Sequence, residues 1–286
     1  MPGAPNTQSR GAAPSDERAA RTEVKHPVDK ARIRFRKGGA LRLLSHHDLM
    51  RTFERLLRRC ELPFHYSQGF HPKPRLIFAL SLPLGVVGCE EVVELELDEV
   101  LSPEEIHARL SRQAPPGLEF LSVRRIPIRV NAQVCLLAYA LPVPVERLPD
   151  LSRRIADVLA AQACWIDRRR PQSGQAERRI DVRPFLVDVR IVEGASPSRD
   201  RKGAVLAQPL PYGRGSDRVL EIVLRLTSAG TARPDEVLGL LGLEDLLDAG
   251  AILERSRLEL HNELPPTEVR CGSELEKGSH EKRNAD

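Results

Sequence analysis

The stretch that decides the fold spans residues 31–60 and reads ARIRFRKGGALRLLSHHDLMRTFERLLRRC. Its first six residues alternate between apolar and basic side chains, which predicts a β-strand. Ser45 can cap a helix, and Asp48 follows three residues later, as in a capping box. An apolar stripe then recurs at helical spacing, formed by Leu49, Phe53, Leu56, Leu57 and Cys60. The stretch therefore predicts a strand followed by an amphipathic helix.

The elements predicted after this helix repeat one order in both halves of the chain. In the first half they are strands at 76–82 and 92–97, a helix that begins at 102–105 and a strand at 118–123. In the second half they are a strand at 134–141, a helix at 145–162, strands at 180–192 and 218–227, a helix from 232–236 and a strand at 251–260, with a short extra strand at 165–168. We therefore predict an α+β fold of two tandem ferredoxin-like (β-α-β-β-α-β) units with disordered termini.

The predicted boundaries follow shifts in composition. Residues 1–30 and 263–286 are rich in Pro, Gly and charge without periodicity, and we predict disordered tails there. The first ferredoxin-like unit is expected over 31–130 and the second over 131–262. A Pro- and Gly-rich segment at 194–217 predicts a flexible insertion in the second unit.

Composition excludes several classes of protein. The chain has 286 residues, 44 Lys and Arg against 40 Asp and Glu, and 41% hydrophobic residues. Its longest mostly apolar run, at 76–88, is shorter than the ~20 residues that span a bilayer, and the first thirty residues hold no apolar signal, so a cytoplasmic protein without membrane contact is expected. Five scattered cysteines form no CxxC pair, which argues against a disulfide framework or a zinc site.

Positive charge is concentrated near the N-terminal side of the predicted fold. Residues 31–75 hold eleven Lys and Arg against three acids. Arg51, Arg55 and Arg58 recur at i, i+4 and i+7 on the predicted helix, opposite its apolar stripe, with Arg59 beside them. Guanidiniums at that spacing can neutralise successive phosphates, although an ordinary solvated helix face has the same pattern.

The loop at 66–75, YSQGFHPKPR, is the second candidate for contact with RNA. Its prolines favour an extended backbone, and its glycine permits a positive φ. Aromatic rings there can stack on bases and basic groups can contact phosphate, although such a loop can also be a turn with its rings in the core. The candidate contacts are Tyr66, Gln68, Gly69, Phe70, His71, Lys73 and Arg75.

Histidines offer candidate chemistry at the start of the first helix. His46 and His47, with His65 or His71, have the side chains needed for acid–base cleavage of RNA without a metal. A metal site that includes Asp48 is a weaker alternative, because adjacent helical residues point ~100° apart. The simplest alternative is that they are ordinary first-turn residues, and we predict no metal site.

A second basic cluster surrounds residues 178–183. Strand alternation predicts that Arg179, Asp181 and Arg183 share one face, where the two arginines are further candidates for RNA contact. The alternative is a charged edge strand that guards against aggregation.

The motifs as a whole resemble the radical-SAM-associated (radical-SAM-linked) family of bacterial domains of unknown function, over roughly residues 31 to 260. The residues that carry the resemblance are LSH at 44–46 with Asp48 and Leu49, YSQGF at 66–70 followed by Pro72, Pro74 and Arg75, LPLGV at 82–86, IDVRP at 180–184 and GTARP at 230–234. The insertion at 194–217 departs from that pattern. Members of the family occur alone or fused behind a radical SAM domain, often beside genes for ribosomal proteins and a ribonuclease of the E/G type.

The resemblance implies a partnership and supplies no catalytic residues. This chain lacks the CxxxCxxC that holds a radical SAM cluster, so it is expected to bind no cofactor and to be the detached companion of an enzyme that carries the iron–sulfur cluster and S-adenosylmethionine. The leading hypothesis is an RNA-binding adaptor for tRNA or rRNA modification or processing, with the ribosome or ribonuclease machinery as further possible partners. The alternatives are a metal-independent endoribonuclease or RNA-modifying enzyme that uses His46, His47 or His71, and a protein-interaction scaffold for the radical SAM partner.

Overall fold

The first half of the chain forms four strands and two helices. The computed structural model describes residues 26–68, 70, 72–168, 178–193, 218–261 and 263. The elements are β1 (Asp29–Lys37), α1 (His46–Arg59), β2 (Leu76–Phe78), β3 (Val87–Leu97), α2 (Pro103–Gln113) and β4 (Leu118–Arg125). β1 lies between β4 and β3, β2 pairs with the other edge of β3, and all these pairs are antiparallel. The strand order is therefore β4-β1-β3-β2.

The second half has the same arrangement of its principal strands. Its elements are β5 (Val134–Pro142), α3 (Leu148–Ala160), β6 (Trp165–Arg168), β7 (Arg178–Asp181), β8 (Leu186–Glu193), β9 (Arg218–Arg225), α4 (Pro234–Leu241), α5 (Glu244–Asp248) and β10 (Glu254–Leu260). The order is β10-β5-β9-β8, again antiparallel, while β6 and β7 form a separate two-stranded sheet. Among the helices of the described residues, none has both the length and the apolar character needed to cross a membrane.

The two halves join where β3 meets β10. These strands are parallel and share only two residue pairs, Glu254 with Val87 and Arg255 with Gly88, which link all the principal strands into one eight-stranded sheet. Arg255 is 1% exposed, and its Nε donates to Oε1 of the equally buried Glu91 at 2.8 Å, while Nη2 pairs with the other carboxylate oxygen. Nη1 donates to the Ser81 carbonyl. The joint between the halves is therefore a short backbone pairing reinforced by a buried ion pair.

Each half has its own apolar core. In the first, alternate residues of β1 meet α1 and α2, and the ring of Phe53 lies 5.1 Å from Phe35 and 5.2 Å from Phe78. In the second, β5, β8, β9 and β10 pack against α3, α4 and α5. Leu82, Val86 and Val92 come from the first half of the sequence but pack in the second core. The fold is thus a mixed α+β arrangement on a large, mostly antiparallel sheet.

The strand β1 begins earlier than the alternation predicted. Asp29 and Lys30 belong to it and are buried, so the fold starts within the segment predicted as a tail. Lys30 Nζ lies 2.8 Å from Glu94 Oε2 on β3 and donates to the Val130 carbonyl and to Asn131 Oδ1. The predicted tail at 1–25, the insertion at 194–217 and residues 264–286 lie outside the described part of the chain.

Other predicted elements differ in extent. β2 ends at Phe78 instead of residue 82, and β3 begins at Val87, five residues before the predicted start. The helix predicted at 145–162 begins with a 3-10 turn and ends at Ala160. The strand predicted at 180–192 is wrong as one element, because a 3-10 turn at Arg183–Phe185 separates β7 from β8. Pro184 has no N–H for a sheet ladder, which accounts for a break there.

Loss of the buried ion pair should destabilise the whole fold. In Glu91→Gln, Arg255 keeps its buried charge without a counterion, and we expect unfolding to become easier by about 3–5 kcal/mol. Glu193→Gln makes the same chemical change in an exposed pair with Arg218 (3.2 Å) and should cost at most about 1 kcal/mol. Denaturant unfolding measures both variants, and equal losses would contradict this assignment.

Candidate nucleic-acid interface

Helix α1 is held in place by its cap and its apolar face. Ser45 Oγ accepts from the Asp48 backbone N–H at 3.2 Å and donates to Asp48 Oδ2 at 2.7 Å, so the predicted cap is confirmed. The predicted apolar stripe is buried against the sheet and α2. The opposite face of the helix is therefore directed to solvent.

Four arginines occupy that solvent face. Arg51, Arg55, Arg58 and Arg59 are all exposed. Arg51 Nη1 lies 3.5 Å from Asp48 Oδ1, in a pair whose side chains are both about half exposed or more. Arg55 and Arg59 donate to backbone carbonyls at 3.3 and 3.4 Å, and within the described ranges neither these two nor Arg58 has an ion pair with a carboxylate. The row keeps most of its positive charge.

Arg32 and Arg34 of β1, unlike most of the arginines on α1, are paired with carboxylates. Arg32 donates through Nε and Nη2 to Glu94 Oε1 at 3.0 and 2.9 Å, and both residues are buried. Arg34 pairs with Glu263 and lies 3.6 Å from a Glu90 oxygen. The charge excess counted over 31–75 is thus partly neutralised by the acids of β3 and by Glu263. The remaining surface charge lies on α1 and the loop after it.

That loop is a backbone-paired hairpin, here called the aromatic hairpin (residues 64–76). Tyr66 forms a β-bridge with Pro74, the Ser67 N–H donates to the Lys73 carbonyl at 2.8 Å, and the Arg75 N–H donates to the His65 carbonyl at 2.8 Å. His65 N–H donates in turn to the Glu96 carbonyl of β3. The base of the hairpin is therefore continuous with the sheet.

The side chains of the aromatic hairpin differ in exposure. Phe70 is fully exposed, whereas Tyr66 is 39% exposed and its ring packs edge-on against Phe64 at 6.2 Å. Gln68 and Lys73 are exposed. Arg75 Nε lies 3.6 Å from Glu96 Oε2, so its charge is partly compensated. The alternative of a turn with both rings in the core does not hold for Phe70, while Gly69 and His71 lie outside the described residues.

The histidines are not gathered into one site. The His46 ring is half-buried against Phe78 at 5.3 Å, and burial, followed by the neighbouring His47 and Lys37, lowers the pKa of His46. His47 is exposed, with its ring 6.2 Å from that of His46. His65 is buried with Nδ1 2.7 Å from Asp98 Oδ1, which is a structural contact at the hairpin base. Among the described residues, no group of three or more His, Cys, Asp or Glu is placed to hold a metal ion.

The second basic cluster does not form the predicted strand face. Arg183 lies in the 3-10 turn, and its guanidinium donates to the carbonyls of Ala161 (3.2 Å), Leu186 (3.0 Å) and Leu159 (3.0 Å). Asp181 accepts from the backbone N–H groups of Cys164 and Arg183. The prediction that Arg179, Asp181 and Arg183 share a strand face is therefore wrong, and only the exposed Arg179 stays accessible to a ligand.

Two structural features were not predicted from the sequence. One is the burial of charged side chains on β1 and β3. The sequence indicates it only through the glutamates at 91, 94 and 96, which can face the lysine and arginine side chains of β1 across the sheet. The other is Trp165, which is 54% exposed with the Arg179 guanidinium 5.2 Å from its ring centre. The extra strand was predicted, but its aromatic residue was not singled out.

These observations define a mixed α+β protein with an exposed basic helix and an aromatic hairpin on one half of its sheet. The chain belongs to a family of uncharacterised proteins conserved in bacteria (DUF2344), whose family model matches residues 30–230. No curated protein matches it. A crystal structure of an unknown protein from Galdieria sulphuraria is similar over 81% of this chain and 98% of that one, at 10% identity and a TM-score of 0.21.

Arg183 should stabilise the fold, in contrast to its neighbour Arg179. Arg183→Ala removes the donor from three backbone carbonyls, and we expect a loss of roughly 2 kcal/mol or more in unfolding free energy. Arg179→Ala removes only an exposed cation–π contact and should cost about 1 kcal/mol or less. Thermal or denaturant unfolding separates the two, and a neutral Arg183→Ala would refute the structural role.

His46 should titrate below its ordinary pKa of 6.5. The unfolded chain then binds this proton more readily than the folded chain, so stability falls as the pH drops through about 6.5. NMR titration of the imidazole protons, assigned with His46→Gln, measures the midpoint. A midpoint at or above 6.5, or an unfolding free energy whose acid dependence is the same in His46→Gln, would contradict the assignment.

Proposed function

We propose that this chain is an RNA-binding adaptor that acts in the cytoplasm and presents a tRNA or ribosomal RNA to a radical SAM enzyme. Its RNA surface consists of the α1 arginines Arg51, Arg55, Arg58 and Arg59 together with the aromatic hairpin. The observation that carries the proposal is the exposed row of guanidiniums, of which only Arg51 faces a carboxylate within the described ranges.

Electrostatics supports a polyanion as the ligand of α1. A protein that neutralises phosphates releases condensed counterions, so each accessible guanidinium adds affinity that falls with salt. The arginines recur on one helix face whose backbone is held by a cap and a packed core, so little ordering is needed on binding. Arg59 also donates to the Gln113 carbonyl of α2, which restrains the end of the row.

The aromatic hairpin supports recognition of unpaired bases. An exposed phenylalanine gains by stacking on a base, and every base offers such a face. Phe70 is fully exposed, and the chain around it is anchored by hydrogen bonds between Ser67 and Lys73. Lys73 of the same hairpin is exposed, and its ammonium group can contact a phosphate. These features fit single-stranded or irregular RNA better than a regular duplex.

The proposal includes a specific fold for the two halves of the chain. We interpret each half as a ferredoxin-like unit, supported by the strand orders β4-β1-β3-β2 and β10-β5-β9-β8, which have the same pattern. In this interpretation α1 and α2 are the two crossover helices of the first unit. The RNA surface then uses one crossover helix and the connection that follows it.

The partnership with a radical SAM enzyme rests on the resemblance of the motifs. The sequence has no CxxxCxxC, so the iron–sulfur cluster and S-adenosylmethionine would belong to the partner. The neutral form of His46 that its lowered pKa favours is the one observation that supports catalysis by this chain itself. RNA cleavage by the purified chain that is abolished in His46→Ala and His47→Ala would establish that second candidate.

Removal of three arginines from α1 should weaken RNA binding and reduce its salt dependence. We expect Arg51→Ala/Arg55→Ala/Arg58→Ala to raise the Kd for a bacterial tRNA pool by about tenfold or more at low salt, and to lower the slope of log Kd against log salt by about 2. Fluorescence anisotropy over a salt series measures both. The matched control is Arg129→Ala/Arg153→Ala/Arg225→Ala, which removes the same charge from exposed positions elsewhere.

The control distinguishes a site from general attraction. Equal losses in the two triple variants would show that net charge, and not the α1 surface, holds the RNA. If the wild-type chain binds no RNA but still captures a protein partner after nuclease treatment, the proposed RNA-binding role is wrong. That result would instead indicate a protein-interaction scaffold.

A further inference from the structure

The small hairpin of β6 and β7 carries an exposed aromatic residue that the proposed RNA surface does not use. Trp165 is the one tryptophan of the sequence, and its side chain is 54% exposed. It is not needed for the core, because the inward-facing neighbour Ile166 packs against the second apolar cluster instead. The exposed ring is therefore available for contact with a ligand.

The hairpin holds this residue on a rigid support. Arg168, on the same strand as Trp165, donates through Nη2 to Glu236 Oε2 at 2.7 Å and to the Thr231 carbonyl at 3.1 Å. The Val182 N–H donates to the Cys164 carbonyl at 2.9 Å, which closes the base of the hairpin. The ring therefore needs little further ordering when a ligand arrives.

The solvent-facing side of the β6–β7 hairpin combines the Trp165 ring with the Arg179 guanidinium. Trp165 pairs in register with Asp181, and Asp167 pairs with Arg179, so alternation places these four residues on one face. The Arg179 guanidinium carbon lies 5.2 Å from the centre of the Trp165 ring. The Asp181 carboxylate accepts two backbone N–H groups, and Asp167 is exposed. Arg179 contributes one positive charge and the two aspartates contribute two negative charges, so the face suits a flat, uncharged group more than a phosphate.

We propose that Trp165 and Arg179 form a second RNA contact, a platform on which one unpaired base stacks. The inference rests on the proposed function and adds a separate contact to it. Tryptophan rings and arginine guanidinium planes are both surfaces on which proteins stack unpaired bases. Because the face has no net positive charge, this contact adds affinity without adding to the salt dependence that α1 supplies.

Intrinsic fluorescence reports on this contact directly, since the chain has a single tryptophan. Oligo-adenylate, an unpaired RNA with strongly stacking bases, should quench the emission of the wild-type chain in parallel with binding measured by anisotropy. Trp165→Ala should raise the Kd by about tenfold and leave the salt slope unchanged. Trp165→Phe should retain part of the affinity, and Val187→Ala, which trims an exposed apolar residue of β8, should bind as wild type.

The outcomes separate this inference from the proposed function. RNA binding with unchanged tryptophan emission and a wild-type Kd for Trp165→Ala would overturn the platform and leave the α1 surface standing. A change in salt slope for Trp165→Ala would overturn the stacking role. Absence of RNA binding by the wild-type chain would overturn both.

Discussion

The buried pair between Arg255 and Glu91 is the contact on which the arrangement of the two halves depends. β3 and β10 share only two backbone pairs, too few to fix one half against the other by themselves. A buried charge without a counterion is strongly destabilising, so the fold requires the Arg255 and Glu91 side chains to pair. This requirement selects one register of β10 on β3. The Ser81 carbonyl accepts from the same guanidinium, which brings the segment between β2 and β3 into the joint. The two halves of the eight-stranded sheet are therefore held in fixed positions relative to each other.

Charge pairing also divides the arginines into two groups. Some are paired within the fold and stabilise it, while others are exposed and available to a ligand. The acids of β3 neutralise Lys30, Arg32 and Arg34, while the acids nearest to α1 are few. The same residue type thus stabilises the sheet on β1 and remains available on α1. In the second half, Arg183 and Arg168 are held by backbone carbonyls and Glu236, and Arg179 alone among the three is directed to the ring of Trp165. Exposure and pairing, more than the density of basic residues, define the surface that we propose for RNA.

Local signals in the sequence predicted local structure. The period of the apolar residues and the cap at Ser45 placed α1 correctly, and the proline after Ser102 marked the start of α2. Local patterns could not predict contacts between residues that are distant in sequence. Arg32 and Glu94 are 62 positions apart, and Arg255 and Glu91 are 164 apart. The break at Arg183–Phe185 was missed although the sequence marks it twice, by Pro184 and by a change of phase from polar residues at 181 and 183 to polar residues at 188 and 190. The candidate arginines of α1 are exposed, as are the described hairpin candidates Tyr66, Gln68, Phe70, Lys73 and Arg75. Arg183 is not available, and the exposed ring of Trp165 has no neighbours in sequence that single it out.

The measurement that tests the account most directly is ultraviolet crosslinking of the full chain to RNA in its native bacterium, followed by mass spectrometry of the crosslinked peptides and sequencing of the attached RNA. The account predicts one enriched tRNA or rRNA region, with crosslinks in the peptides that contain residues 66–75 and in those from α1. Crosslinks confined to other surfaces, or no RNA above the background of a protein that does not bind it, would contradict the account.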